Sequence, residues 1–187
     1  MFRKRIFRPR GRGVGPMPHP RLQRANELMA IEDYTGAARA FEELAKAASS
    51  RNGPATPHLY LQAGRANIKA GQIISGMTQI EIALKMFAKR GEWLKFQRNR
   101  RRVVEELRRT GLDNEANTIV NFLEEQLPAE MKSTGGEPLK DPKPVARARA
   151  TLPTKCPECG APLRIDQVDW VDENTAECPY CGNMTRS

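Results

Sequence analysis

The chain has 187 residues, of which 39% are hydrophobic, enough for one modest helical core and a small second module. Its net charge of +9 and isoelectric point near 9.7 predict acidic partners, such as nucleic acid, anionic lipid or acidic protein surfaces. No apolar run approaches the ~20 residues that cross a bilayer, and no apolar segment follows the basic N-terminus. A membrane span and a secretory signal are therefore not expected.

The N-terminal stretch 1–20 is predicted to be a basic flexible arm. It carries six basic side chains and no acidic one, and its glycines and prolines prevent a regular element. Arginine and lysine in such an arm can contact phosphates. The side chains assigned to this role are Arg3, Lys4, Arg5, Arg8, Arg10 and Arg12. A solvated tail without a ligand is the alternative.

A pattern of two short helices occurs three times over residues 21–127, which we predict to be one helical repeat domain. Small residues stand where paired helices would cross. Ala37, Gly76 and Ala116 are 39 and then 40 positions apart, a period expected of stacked helical hairpins. The predicted pairs are Arg21–Ile31 with Thr35–Ser49, His58–Ala70 with Ile73–Lys89, and Trp93–Arg109 with Asn114–Leu127. His58, near a helix start, is interpreted as a surface residue, and Asp113 as an N-cap.

The first copy resembles the tetratricopeptide repeat, with Ala25, Tyr34, Ala37 and Phe41 at the positions of that family's pattern. Because the period here exceeds the family's ~34 residues, arrays of longer helical hairpins stay open as an alternative. The resemblance implies that the first helix of each pair lines a concave groove, and that Asn26 is similar to an asparagine that holds a peptide carboxylate. The groove residues that it implies are Asn26, Arg65, Lys69, Arg98, Arg101 and Arg109.

All four cysteines lie in the predicted ribbon, residues 155–187, which follows a Pro-rich linker over 128–154. Each CPxCG segment brings two sulfurs to one side of a tight turn, and two such turns complete a four-sulfur shell that suits one structural Zn²⁺. The predicted ligands are Cys156, Cys159, Cys178 and Cys181. The repeated CPxCG form resembles a zinc ribbon, and a redox dithiol is the competing interpretation.

Between the cysteine pairs the sequence predicts a β-hairpin. Three segments have strand-like sequences: Pro162–Ile165, Val168–Val171 and Thr175–Glu177. A turn is predicted at Asp172–Asn174, between the last two. Trp170 is predicted to lie in the small core. The expected fold class is thus mainly α, with three stacked helical hairpins and a small C-terminal β-hairpin ribbon.

The sequence contains no Ser/His/Asp set, no Cys/His set and no GxxxxGK[ST] phosphate loop, so we expect neither an enzyme nor a small-molecule substrate. The leading hypothesis is a cytoplasmic adaptor that binds a protein or an acidic peptide through its repeats, with the ribbon as a second contact. The alternative is a nucleic-acid-associated protein that uses the arm and the basic Arg98–Arg109 helix face. An anionic membrane surface is a less favoured partner.

Overall fold

The computed structural model describes residues 19–126 and 152–186, apart from 166 and 167. The described part is mainly helical, followed by a small antiparallel sheet. Its helices are α1 Pro20–Ala30, α2 Tyr34–Ser49, α3 Thr56–Lys69, α4 Ile73–Lys89, α5 Trp93–Arg109 and α6 Asp113–Gln126. The basic residues assigned to phosphate contact, from Arg3 to Arg12, lie outside the described residues, as does most of the predicted linker.

Helices α3, α4 and α5 are each followed by a glycine in the left-handed region of backbone space. Gly71, Gly91 and Gly111 have φ of 79°, 69° and 77°, a conformation that a Cβ atom would strain. The next residue closes each turn, as when the backbone N–H of Gln72 donates to the carbonyl of Asn67 at 2.8 Å. These glycines are 20 positions apart, so a helix pair with its two turns occupies about 40 residues. The turn geometry therefore explains the period of the sequence pattern.

Helices α3 and α4 cross closely where two buried glycines face each other. A Cβ atom on Gly64 would lie 2.8 Å from the carbonyl oxygen of Gly76, and a Cβ atom on Gly76 equally close to that of Gly64. The corresponding residues of the first pair, Ala25 and Ala37, are fully buried. The prediction of small residues at the helix crossings is confirmed at these positions.

Each helix packs against the one that follows it in the chain, and α4 also contacts α6. Two apolar cores form between the helices, one around α1 to α3 and the other around α3 to α6. Helix α5 packs an apolar face against the other helices, with Phe96, Val103, Val104 and Leu107 all buried. Packing of these apolar faces is the main source of helix stability, because isolated helices of this length are marginal in water.

The C-terminal module is a three-stranded antiparallel sheet in the order β1–β2–β3. The strands are β1 Asp169–Trp170, β2 Thr175–Glu177 and β3 Met184–Arg186. The predicted turn between the first two is confirmed, since the Asp172 carboxylate accepts a hydrogen bond from the backbone of Asn174 at 2.8 Å. Trp170 is only 4% exposed, as expected for a core residue.

Three details of the sequence-based assignment are wrong. Pro162–Ile165 forms no strand, because only Pro162 bridges, to Lys155, whereas the unpredicted β3 completes the sheet. Asp113 is the first residue of α6 rather than its cap. His58 is not a surface residue but is 3% exposed, because the sheet module covers it.

None of the helices in the described part of the chain has the length and apolar character needed to cross a membrane.

The close crossing of α3 and α4 predicts that Gly64→Ala destabilises the protein. The added methyl group would lie 2.7 Å from Ile80 Cγ1, so the helices must separate at a cost of about 1–3 kcal/mol. This exceeds the gain of at most ~1 kcal/mol from alanine's better helix propensity. Urea unfolding followed by circular dichroism measures the change. Ser75→Ala, at an exposed position of α4, is the control and should stay within about 0.5 kcal/mol of wild type; stabilisation by Gly64→Ala would contradict the close crossing.

Candidate metal centre and basic cleft

The two CPxCG segments fold into equivalent turns, which we call the first knuckle (Cys156–Gly160) and the second knuckle (Cys178–Gly182). In each, the backbone N–H of the glycine donates to the carbonyl of the first cysteine at 2.9 Å. The glycines have φ of 73° and 75°, which explains why the same residue type follows both cysteine pairs. The sheet orients the knuckles so that their sulfurs face each other.

The four sulfurs form a compact buried cluster that fits a metal ion. They lie within 4.8 Å of one another, and the Cys156–Cys181 and Cys159–Cys178 pairs are each separated by 3.8 Å. A tetrahedral ion with metal–sulfur bonds of ~2.3 Å requires sulfur separations of ~3.8 Å. A disulfide requires ~2.05 Å. The geometry thus fits a tetrathiolate metal site, with one ligand from each cysteine.

The electrostatics of the cluster also favour a cation. The pKa of Cys156 is lowered, first by a hydrogen bond from the Cys159 thiol, whereas the pKa of Cys181 is raised, first by its hydrogen bond with Cys156. Four adjacent thiolates need a cation at their centre, and a bound metal ion supplies that charge. With it, the knuckles are held as one unit.

The knuckles rest on the first helices of the first two pairs. The side-chain amide of Asn26, on α1, donates to the carbonyl of Cys159 at 2.7 Å. That of Gln62, on α3, donates to the carbonyl of Pro179 at 3.4 Å. Leu22 packs against the ribbon core as well as against the helical core. The ribbon is therefore in contact with the helical part of the chain, on the face formed by α1, α3 and α5.

A partly buried ion pair lies on the other side of this contact. Glu177, on β2, is 6% exposed, and the Lys95 ammonium of α5 lies 3.3 Å from its carboxylate. The His58 imidazole is 3.7 Å from the same oxygen and packs edge-on against Phe87. Burial, followed by the charges of Lys95 and Arg65, lowers the pKa of His58 to about 3. The imidazole is therefore neutral at pH 7, and Lys95 supplies the charge opposite Glu177.

Beside these contacts, the helices and the ribbon enclose a cavity of about 1050 Å³, which we call the basic cleft. Its cationic lining residues are Arg65, Lys69, Arg98, Arg101, Arg102 and Arg109, against the acidic Glu105 and Glu106. Among the described ribbon side chains, those that line the cleft are uncharged: Pro162, Val168, Trp170, Pro179 and Tyr180. The cleft thus has a basic helical wall and an apolar, partly aromatic ribbon wall.

All six groove residues implied by the family resemblance line this cleft, and contacts within the chain already engage several of them. Asn26 binds the first knuckle, Arg65 forms an ion pair with Glu106 at 2.7 Å, and Lys69 lies 5.2 Å above the Tyr34 ring. Their role in binding another molecule stays a prediction. The Asn26 amide, implied to hold a peptide carboxylate, here donates to a ribbon carbonyl.

Sequence reasoning missed the residues that join the two modules: His58, Gln62 and Lys95. One signal was present, because helix α3 buries His58, Gln62 and Asn67 together. A helix with several polar residues among small apolar ones requires hydrogen-bonding partners outside itself. Their identity could not be read from the pattern, because the partner of Gln62 is a ribbon carbonyl 117 positions away, whereas Asn67 donates to the Glu42 side chain within the helices.

No protein-family model, curated protein or solved structure matches the chain. The chain's function is therefore inferred from the geometry and charge of the site itself.

The sulfur geometry predicts that the chain takes up one divalent metal with all four cysteines as ligands. Metal-free protein loaded with Co²⁺ should show the intense visible absorption of a tetrahedral tetrathiolate complex, because this geometry strengthens the metal's electronic transitions. Cys178→Ser should weaken that absorption and lower the affinity. Met184→Ser, at an exposed position of the same module, is the control. A six-coordinate spectrum, or equal spectra for wild type and Cys178→Ser, would contradict the assignment.

Proposed function

We propose that the chain is a non-catalytic adaptor with tetratricopeptide-like repeats, which binds an acidic segment of a partner protein in its basic cleft. The observation that carries the proposal is the composition of the cleft: cationic side chains line its helical wall, and no acidic side chain is among the described residues that line its ribbon wall. An acidic peptide could pair with the first wall and place its apolar atoms against the second.

The repeat-like character is supported by which helices form the ligand-facing surface. Arg65 and Lys69 belong to α3, while Arg98, Arg101 and Arg109 belong to α5. Both are first helices of their pairs, which is the arrangement that the tetratricopeptide resemblance implies. The ribbon makes the surface narrower than an open groove, so the proposed ligand is a short extended segment rather than a folded domain.

The metal of the ribbon is proposed to be one Zn²⁺ with a structural role. Four cysteine ligands leave no open position for a catalytic water, and a sulfur-only shell suits zinc or iron. Zn²⁺ has no redox chemistry, which suits a site whose neighbours are backbone carbonyls and a core tryptophan. Reduced metal-binding cysteines also favour the cytoplasm as the place of action.

Elemental analysis of the purified protein should find one zinc per chain and little iron, because tetrahedral sulfur coordination without redox cycling favours zinc. The measurement is mass spectrometry of the metal content after gel filtration. Chain with all thiols blocked by alkylation under denaturing conditions gives the background. Iron in place of zinc, or well under one metal per chain, would count against the assignment.

Single-stranded nucleic acid is the second candidate ligand. The cleft places Tyr180 and Trp170 opposite several arginines, and aromatic rings beside cations are the usual features of single-strand binding surfaces. The peptide is preferred because acidic side chains flank the cleft. Glu105 and Glu106 line it, and α6 begins with Asp113 and Glu115. A long polyanion would be repelled there, whereas a short acidic ligand would avoid most of these charges.

The adaptor proposal predicts that Arg98→Glu with Arg101→Glu weakens binding of a short fluorescein-labelled Glu/Ser peptide by about tenfold or more, because attraction becomes repulsion. Fluorescence anisotropy near physiological salt measures the affinity. The matched control is Lys46→Glu with Lys89→Glu, which makes the same change in net charge at exposed positions of α2 and α4. A Gln/Ser peptide tests whether the ligand's charge is required.

Oligonucleotides measured in the same way separate the two candidates. Phosphate contacts would give a steep salt dependence, with a slope of about −0.7 per contact for single strands. Submicromolar oligonucleotide binding that largely disappears when residues 1–18 are removed would place the nucleic-acid hypothesis first. Equal peptide affinity for the two charge-reversed proteins would contradict a peptide site in the cleft.

A further inference from the structure

Helices α1 and α3 contact the backbone of both knuckles. Asn26 of α1 donates to the Cys159 carbonyl at 2.7 Å in the first knuckle. Gln62 of α3 donates to the Pro179 carbonyl at 3.4 Å in the second. The carbonyls of Cys159 and Pro179 point towards these side-chain amides when each knuckle is folded into its closed turn. The helices thus recognise the folded form of each knuckle.

Side chains of the helices also fit closely against the glycine of each knuckle. His58 fills the space where a Cβ atom of Gly182 would stand, since such an atom would overlap its imidazole ring. Gln23 lies against Gly160 less tightly, with its Cγ 3.3 Å from the equivalent point. We call Gln23, Asn26, His58 and Gln62 the docking platform. Two of its members, His58 and Gln62, are almost fully buried, so the platform is covered by the ribbon.

The ribbon is too small to hold its knuckles closed without metal. A module of this size has little apolar area, and small domains of this kind fold when the metal binds. Loss of the ion would therefore remove the carbonyl positions and glycine surfaces that the platform contacts. It would also expose Glu177 and break its ion pair with the partly buried Lys95.

We propose that the docking platform couples metal binding in the ribbon to the shape of the basic cleft. Metal-loaded ribbon docks on α1 and α3 and forms the partly aromatic wall of the cleft. Metal-free ribbon leaves the platform, and the cleft becomes an open groove that keeps only its basic helical wall. That the cleft then holds its acidic ligand less tightly rests on the proposed function. The coupling is reciprocal: any change that weakens docking also lowers metal affinity, although it touches no ligand atom.

The experiment is a double-variant cycle in the full chain, read as metal affinity by competition with a chromophoric chelator. Gly182→Ala and Gly160→Ala impose the same backbone strain, because both glycines have left-handed φ. The new methyl group meets the buried His58 ring in Gly182→Ala, but the flexible Gln23 side chain in Gly160→Ala. Gly182→Ala is expected to lower metal affinity about tenfold more than Gly160→Ala, since overlap in a packed interface is costly. In a His58→Ala background, which removes the ring, this excess should disappear.

A second pair of variants tests the platform without altering the ribbon. Asn26→Ala should weaken metal binding about fivefold, because its partly buried hydrogen bond to the Cys159 carbonyl is lost. Arg24→Ala, on the same helix at an exposed position, should leave the affinity unchanged. The proposed coupling of metal binding to docking is overturned by two results together. Asn26→Ala and wild type would have equal metal affinities, and the two glycine variants would have equal effects in both backgrounds.

The Glu/Ser peptide distinguishes a failure of the coupling from a failure of the proposed function. If metal-loaded protein binds the peptide and chelation weakens that binding, the proposal is supported as stated. Peptide binding that is the same with and without metal overturns control of the cleft by the metal. If the peptide does not bind at all, the proposed function fails, while the metal-affinity cycle still decides whether the platform and the metal are coupled.

Discussion

Contact between the ribbon knuckles and the first helices of the repeats is the constraint on which the arrangement of the site depends. The helices approach backbone atoms at Cys159 and Pro179, and a side chain on Gly182 would displace His58. Backbone is less variable in shape than side chains, so this interface has one well-defined geometry. It positions Trp170 and Tyr180 opposite the arginines of α5 and thereby creates the basic cleft.

The distribution of charge follows from the same contact. The ribbon is net acidic in sequence, with a charge of −3 over residues 155–187, and one of its carboxylates, Glu177, is paired with Lys95 inside the interface. Asp172 and Glu173 lie at the exposed turn beyond β1. An acidic module can therefore cover a basic helical face without neutralising it, because its described cleft-facing residues are uncharged. This is why the cleft keeps the cationic character that the sequence of α5 predicts.

Much of the fold could be predicted because its causes are local. A glycine every 20 residues follows α3, α4 and α5, small residues mark the helix crossings, and the repeated CPxCG identifies the knuckles. The packing of the ribbon against the repeats could not be predicted, because it joins Asn26 to Cys159 across 133 positions through a backbone carbonyl that carries no residue-specific signal. Strand β3 was missed for a related reason: Met184–Arg186 is too short to show alternation, and it forms because β2 offers a free edge.

His58 illustrates how the two kinds of information combine. A histidine near a helix start suggests a solvent-exposed position when the helix is considered alone. In the structure it is 3% exposed, next to a carboxylate and a glycine of another module, and burial keeps it neutral. A neutral ring fits against Gly182 without the desolvation cost of a charged one, and it leaves Lys95 as the partner of Glu177. The metal site, the ion pair and the helical core therefore meet at one side chain, which makes His58 the residue through which a change in the ribbon would first reach the repeats.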